Sequence, residues 1–189
     1  AHDVGAPSSV VVIATAAHDT ASAVAAVPSE EGETPLYISS GTWSLLGVEL
    51  EQPRIDELAL QSGFTNEVAA SGKIRFLKNI MGMWIQQECV RHWEKEEGTE
   101  IAWKTLDEQT IACASYQGWI DPTDQRFLKP NTHGNLMVDR INSWCDEHGI
   151  GRPASKGEYM VAIYRGLAKA YAKAIKDLAL GVDASFKRI

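Results

Sequence analysis

Leu36-Tyr-Ile-Ser-Ser-Gly-Thr-Trp-Ser-Leu-Leu-Gly-Val48 reads as two strands, Leu36 to Ser40 and Trp43 to Glu49, joined by a tight turn at Gly41-Thr42. Strand alternation places Trp43, Leu45 and Gly47 on one face and Ser44, Leu46 and Val48 on the other. Both faces carry apolar groups, so this hairpin is expected to be central. Upstream, Val10-Val-Val-Ile-Ala14 is short and apolar, the pattern of a strand buried on both faces. It leads into Ala17-His18-Asp19-Thr20, then a short helix expected over Ala21 to Ala26 and stopped by Pro28, and a solvated turn from Ser29 to Thr34. Ligand sites in α/β proteins gather at the carboxyl ends of strands, which draws attention to Asp19 and to the Gly41-Thr42 turn.

Downstream, Gln52 to Ala70 reads as irregular, and Lys73 to Lys78 as a further strand. Asn79 is expected to open a helix through Ile80, Met81, Trp84, Ile85, Cys89 and Trp93 that ends before Gly98. Thr105-Leu-Asp-Glu108 has the form of a capping box and predicts a helix running toward Ala114. A Pro- and Asp-rich loop covers Trp119 to Pro130, and a helix follows from Asn135 to His148. Ser155-Lys-Gly-Glu158 is a second capping box, at the head of the longest helix, which Gly181 is expected to stop. Strands lead and helices follow, so the class is α/β.

The 189 residues suffice for one sizeable domain or a large part of a bigger one. With 44% hydrophobic and 23% charged residues the composition is that of an ordinary globular protein. A net charge of -7 argues against a broad nucleic-acid footprint. No apolar run reaches the ~18 residues that span a bilayer. Ala1-His-Asp-Val4 lacks the basic start of a signal peptide. Cys89, Cys113 and Cys145 show neither metal nor catalytic spacing and read as free thiols in a reducing cytoplasm.

Each candidate group has a plain reading beside a functional one. Asp19 is a good helix cap, the reading its local pattern favours, or a carboxylate that takes a proton from a bound hydroxyl. His18 is a structural side chain or a substrate hydrogen-bond group. Gly41-Thr42 is a hairpin turn, or a phosphate cradle in which N–H groups turn inward and the Thr hydroxyl adds a donor. Asn79 and Gln87, eight residues apart, would share one face of a helix, the first as a cap and the second as a solvated side chain. Trp84, Trp93 and Trp144 fit apolar helix stripes better than a sugar-stacking surface.

Taken together, His18-Asp-Thr-Ala-Ser-Ala-Val24, Tyr37-Ile-Ser-Ser-Gly-Thr-Trp-Ser44 and Leu77-Lys-Asn-Ile-Met-Gly-Met-Trp84 closely resemble the rhamnulokinases of the FGGY family of carbohydrate kinases. Asn66-Glu67, Gln87, Asp121-Pro122 and Arg126-Phe127 follow in the family's order and spacing. The resemblance implies a partial ribonuclease-H-like, actin-like ATPase domain, with a short mixed sheet, a hairpin and several covering helices. It implies transfer of the ATP γ-phosphate to L-rhamnulose, with Mg2+ as phosphate counter-ion. Asp19 would be the catalytic base, with His18, Thr20 and Asn79 also contacting substrate. Thr42, with Gly41, and Gln87 would contact ATP.

On the same resemblance, residues 1–189 form a single partial domain, the first part of the C-terminal kinase domain. The N-terminal domain and the adenine-binding end would lie outside it. Alone it is expected to be inactive, with edges and apolar surface that invite self-association. The alternatives are a kinase for another ketose or polyol, such as fuculose or xylulose, and a non-catalytic binding module.

Overall fold

The hairpin forms where the alternation places it. The computed structural model describes residues 5, 7, 9–11, 18–28, 35–183, 186 and 189. In it β1 (Tyr37–Ser40) and β2 (Trp43–Leu50) pair antiparallel, with Ser40 opposite Ser44. Ser44, Leu46 and Val48 are fully buried while Trp43 is exposed, as a two-residue period requires. Two further strands, β3 (Thr65–Val68) and β4 (Ile74–Met81), complete a sheet of order β1-β2-β4-β3. Every pairing in it is antiparallel, where a mixed sheet was expected. The connections account for β1–β2 and β3–β4, since each is short and a parallel pair needs a crossover of a dozen or more residues. Of the predicted first strand, Val10 and Val11 are exposed and outside any strand, and Val12 to Ala14 lie outside the described residues.

Six α-helices accompany the sheet among the described residues: α1 (Asp19–Ala25), α2 (Glu57–Ser62), α3 (Trp84–Glu97), α4 (Trp103–Ala112), α5 (Met137–Glu147) and α6 (Lys156–Val182). Several sequence expectations need correction. Gln52 to Ala70 is not irregular; it holds α2 and β3, one too short to show helical period and the other a polar edge strand. Asn79 does not open a helix. It lies in β4 opposite Leu45, because pairing with β2 runs unbroken from Ile74 to Met81 and outweighs the local helical spacing. Thr105 is inside α4, whose cap residue, Ala102, makes no side-chain bond. Ser155 does cap α6, accepting the Glu158 N–H. That helix runs through Gly181, and it ends at Asp183, which takes the left-handed conformation at φ 50°.

One hydrophobic cluster joins Leu46, Val48, Phe76 and Ile80 of the sheet to Ile163, Leu167 and Leu178 of α6. The Ser44 and Tyr171 hydroxyls, 2.6 Å apart, tie β2 to the same helix. Trp93 and Trp144 are buried in this core, and Cys89 and Cys145 are buried free thiols. At the other edge, the Asn66 amide accepts from the Arg54 N–H at 2.9 Å and donates to the Arg54 carbonyl at 2.8 Å. Among the described residues no helix is long and apolar enough to cross a membrane.

Candidate functional site

The opposite face of the sheet carries a cavity of about 600 Å³. Its walls come from three distant stretches: His18, Asp19 and Thr20 at the start of α1, Ser39 to Trp43 around the hairpin turn, and Leu45, Asn79 and Glu67 from β2, β4 and β3. Ser39, Leu45 and Asn79 are in register across β1, β2 and β4 and so form a continuous floor.

Asp19 is not the cap of α1. His18 holds that position in extended conformation, and its Nδ1 accepts the Thr20 N–H at 3.2 Å. Asp19 is the first helical residue, with Oδ1 taking the Thr20 N–H at 2.6 Å and the Thr20 hydroxyl at 3.3 Å. Its side chain is 97% exposed. Thr20 is buried, so the carboxylate is anchored from below and open above.

The hairpin turn is docked on the head of α3. The Gly41 carbonyl accepts the Met83 N–H at 2.8 Å, and the Thr42 carbonyl accepts from Gly82 and Trp84 at 3.1 and 3.2 Å. These bonds satisfy N–H groups that every helix start leaves without partners. They explain why α3 needs no side-chain cap. Gly82 makes the close approach possible, because a Cβ there would lie 2.5 Å from the Gly41 carbonyl oxygen and 2.8 Å from Ser44 Oγ. Inside the turn, the Gly41 N–H donates to the Trp43 carbonyl at 2.9 Å, so it is not free to hold a phosphate. The Thr42 hydroxyl has no hydrogen-bond partner among the described residues, and Thr42 lines the cavity. Trp43, 46% exposed, stands beside it, on the strand face to which alternation assigned it and apart from the tryptophans of the helix stripes.

Gln87 stands apart from this group. It is half-buried on α3, one turn beyond the docked hairpin, and does not line the cavity. The shared helix face predicted for Asn79 and Gln87 therefore does not exist, since one is on a strand and the other on a helix.

Glu67 is the residue to which the sequence assigned no role. Arg75 Nη2 donates to its Oε2 at 2.6 Å. The Tyr37 hydroxyl is buried nearby, and burial pushes it up, so it stays protonated. No Lys or Arg lines the cavity among the described residues, and its charged lining groups are the two carboxylates. Among the described residues no group of three or more His, Cys, Asp or Glu side chains could hold a metal ion by itself.

Residues 36–189 match the C-terminal domain of the FGGY family of carbohydrate kinases. The chain belongs to that family. The FGGY-family chain is also 41% identical over 167 residues to a rhamnulokinase of Bacillus subtilis (strain 168), covering 88% of the chain and 33% of the relative. A rhamnulokinase of Ligilactobacillus salivarius (strain UCC118) is 43% identical over the same shares. The chain thus spans about a third of the length of these relatives. Among solved structures, xylulose kinase from Bifidobacterium adolescentis aligns with a TM-score of 0.48 at 15% identity, over 82% of this chain and 28% of that one.

Proposed function

We propose that this chain is the first part of the C-terminal domain of an ATP-dependent kinase that phosphorylates L-rhamnulose on its terminal hydroxyl. The supporting observation is convergence: His18-Asp19-Thr20, Gly41-Thr42 and Asn79, far apart in sequence, line one cavity. The relatives named rhamnulokinase supply the sugar. Asp19 accepts the proton of the terminal hydroxyl as its oxygen attacks the γ-phosphorus. One oxygen–phosphorus bond forms, the bond from the γ-phosphorus to the bridging oxygen breaks, and ADP leaves with that electron pair. His18, Thr20 and Asn79 orient the sugar. Thr42 offers a neutral donor to the phosphates, Gly41 lets them approach, and Gln87 contacts the nucleotide from α3.

Phosphates need positive charge, and among the described residues no Lys or Arg lines this cavity. A magnesium ion fits that need, because Mg2+ keeps several waters and binds through substrate phosphates and one or two carboxylates rather than an all-protein cage. Asp19 is the exposed carboxylate available to it. When bound, the ion neutralises phosphate charge.

The open setting of Asp19 supports a further part of the reading. An active site for phosphoryl transfer excludes water by closing, and among the described residues nothing covers the carboxylate. The chain alone is therefore expected to be inactive, with closure supplied by an N-terminal domain in a cytoplasmic enzyme. Ile55, Leu60 and Val68 are exposed apolar groups that would favour self-association of the isolated chain.

The test is ATP-dependent phosphorylation of L-rhamnulose, L-fuculose and D-xylulose by the full-length protein, with the 189-residue chain assayed alongside. Selective turnover of rhamnulose by the full-length protein alone is the expected result. Turnover of a different sugar overturns the substrate and keeps the kinase. A folded full-length protein that turns over none points instead to a binding module.

A further inference from the structure

The cavity holds a second carboxylate with no task in the reaction above. Glu67 lies on β3 directly opposite Arg75 of β4, on the sheet face that also bears Asn79 and Leu45. Asn79 is next but one to the end of β4 nearest the turn, and Arg75 is four residues further away, about 14 Å at strand rise. The hairpin turn thus closes one end of the cavity and Glu67 stands toward the other.

The ion pair is asymmetric. The Arg75 side chain is 2% exposed and that of Glu67 is 34% exposed. One carboxylate oxygen, Oε2, is pinned by the buried guanidinium. The other, Oε1, has no partner among the described residues, and Glu67 lines the cavity. Arg75 Nε and Nη1 are themselves buried without partners, so the guanidinium serves Glu67 and nothing else among the described residues. A carboxylate anchored at one oxygen loses little rotamer freedom when the other accepts a hydrogen bond. Such charge-assisted bonds are about twice as strong as neutral ones.

We infer that Glu67 is a specificity-determining residue, whose free carboxylate oxygen accepts hydrogen bonds from the sugar hydroxyls remote from the one phosphorylated. This rests on the kinase reading and extends it. An ionised carboxylate only accepts, so it distinguishes a hydroxyl from a hydrogen or a methyl at that position. A substrate lacking the hydroxyl leaves a desolvated charge without its partner, which is the strong form of discrimination.

The experiment uses the full-length kinase and its sugar, and compares Glu67→Gln and Glu67→Asp with the native protein. Glu67→Asp retains the charge but shortens the reach by one methylene, which keeps the test usable if Glu67→Gln does not fold around the unpaired Arg75. The expected result is a rise in sugar KM of about 10- to 100-fold, with the KM for ATP unchanged. The native enzyme should also discriminate against sugars deoxygenated at the distal positions, and the variants should lose that discrimination. An unchanged sugar KM in a folded variant overturns the role of Glu67 and leaves the kinase intact. Equal rises in both KM values would mark a merely structural residue. Absence of any sugar turnover by the native full-length protein would remove both readings.

Discussion

Replacing Gly82 with Ala tests the joint between the hairpin turn and α3. The added Cβ would sit 2.5 Å from the Gly41 carbonyl oxygen, 2.8 Å from Ser44 Oγ and 2.9 Å from the Trp43 carbonyl carbon. Two of these atoms are backbone in a paired hairpin, so a rotamer change cannot relieve the clash. The protein then has two courses. It can keep the turn docked and bear the strain of overpacking, about 1–3 kcal/mol. Or it can let the turn lift and lose three backbone hydrogen bonds, from Gly82, Met83 and Trp84, worth about 1 kcal/mol each net. The cost is the smaller of the two, about 1–3 kcal/mol, which lowers the melting midpoint by about 2–12 °C. Lifting the turn also moves Thr42 relative to Gln87, so the KM for ATP should rise while that for the sugar moves less. Gly151→Ala is the control, since a Cβ there meets nothing within 4 Å. The assay is thermal unfolding of both variants with steady-state kinetics in ATP. A Gly82→Ala protein as stable as the control, with native ATP affinity, would refute the idea that this close approach holds the turn in place.

The remaining expectations are simpler. Asp19→Asn should lower kcat of the full-length protein by about 10²–10⁴-fold with the melting point unmoved, because the side chain is 97% exposed and His18, not Asp19, caps the helix. Thr42→Val should raise the KM for ATP and leave stability alone, as its hydroxyl bonds to nothing among the described residues; equal ATP affinity would end its phosphate role. Arg75→Met should destabilise by about 1–3 kcal/mol, since it removes one partner of the ion pair and leaves the part-buried Glu67 carboxylate without its donor; urea unfolding measures this. Finally, Asp56 is held below its ordinary 3.8 chiefly by the Ala59 N–H, Asp146 chiefly by Arg152, and Glu147 below 4.5 chiefly by Arg126. Depressed carboxylates add stability that is present above these ordinary values and lost as pH falls through the lower folded ones. Stability by calorimetry should therefore be flat near neutrality and decline only in acid below about pH 4, and a decline starting near pH 6 would contradict this.

The hairpin, the long helix and its Ser155 cap were legible because each rests on local pattern: alternation about a Gly-Thr turn in one case, a capping box before an apolar stripe in the other. Cavity residues 18–20, 41–42 and 79 were legible through family resemblance, and nothing in their spacing foretold that they meet. Asn79 was misread because Ile80, Met81 and Trp84 satisfy helical spacing, while the deciding force was pairing with β2, a partner defined only by the fold. β3 escaped notice since Thr65-Asn-Glu-Val68 is short and polar, as an edge strand is. With it went the importance of Glu67, whose setting depends on Arg75 on the neighbouring strand. The Thr105 box misled because a helix can start two residues earlier when its tertiary contacts favour it.

The bracket that Asn66 forms with Arg54 bears on how the protein behaves in concentrated solution. An edge strand presents free donors and acceptors that recruit a neighbouring molecule, and here one amide side chain makes, toward Arg54, the donor-acceptor pair that a further strand would offer. Substituting Asn66 would release the Arg54 segment from β3, while leaving the cavity floor at Ser39, Leu45 and Asn79 untouched. The first sign of such a change would be turbidity and loss of soluble yield, ahead of any loss of turnover per folded molecule.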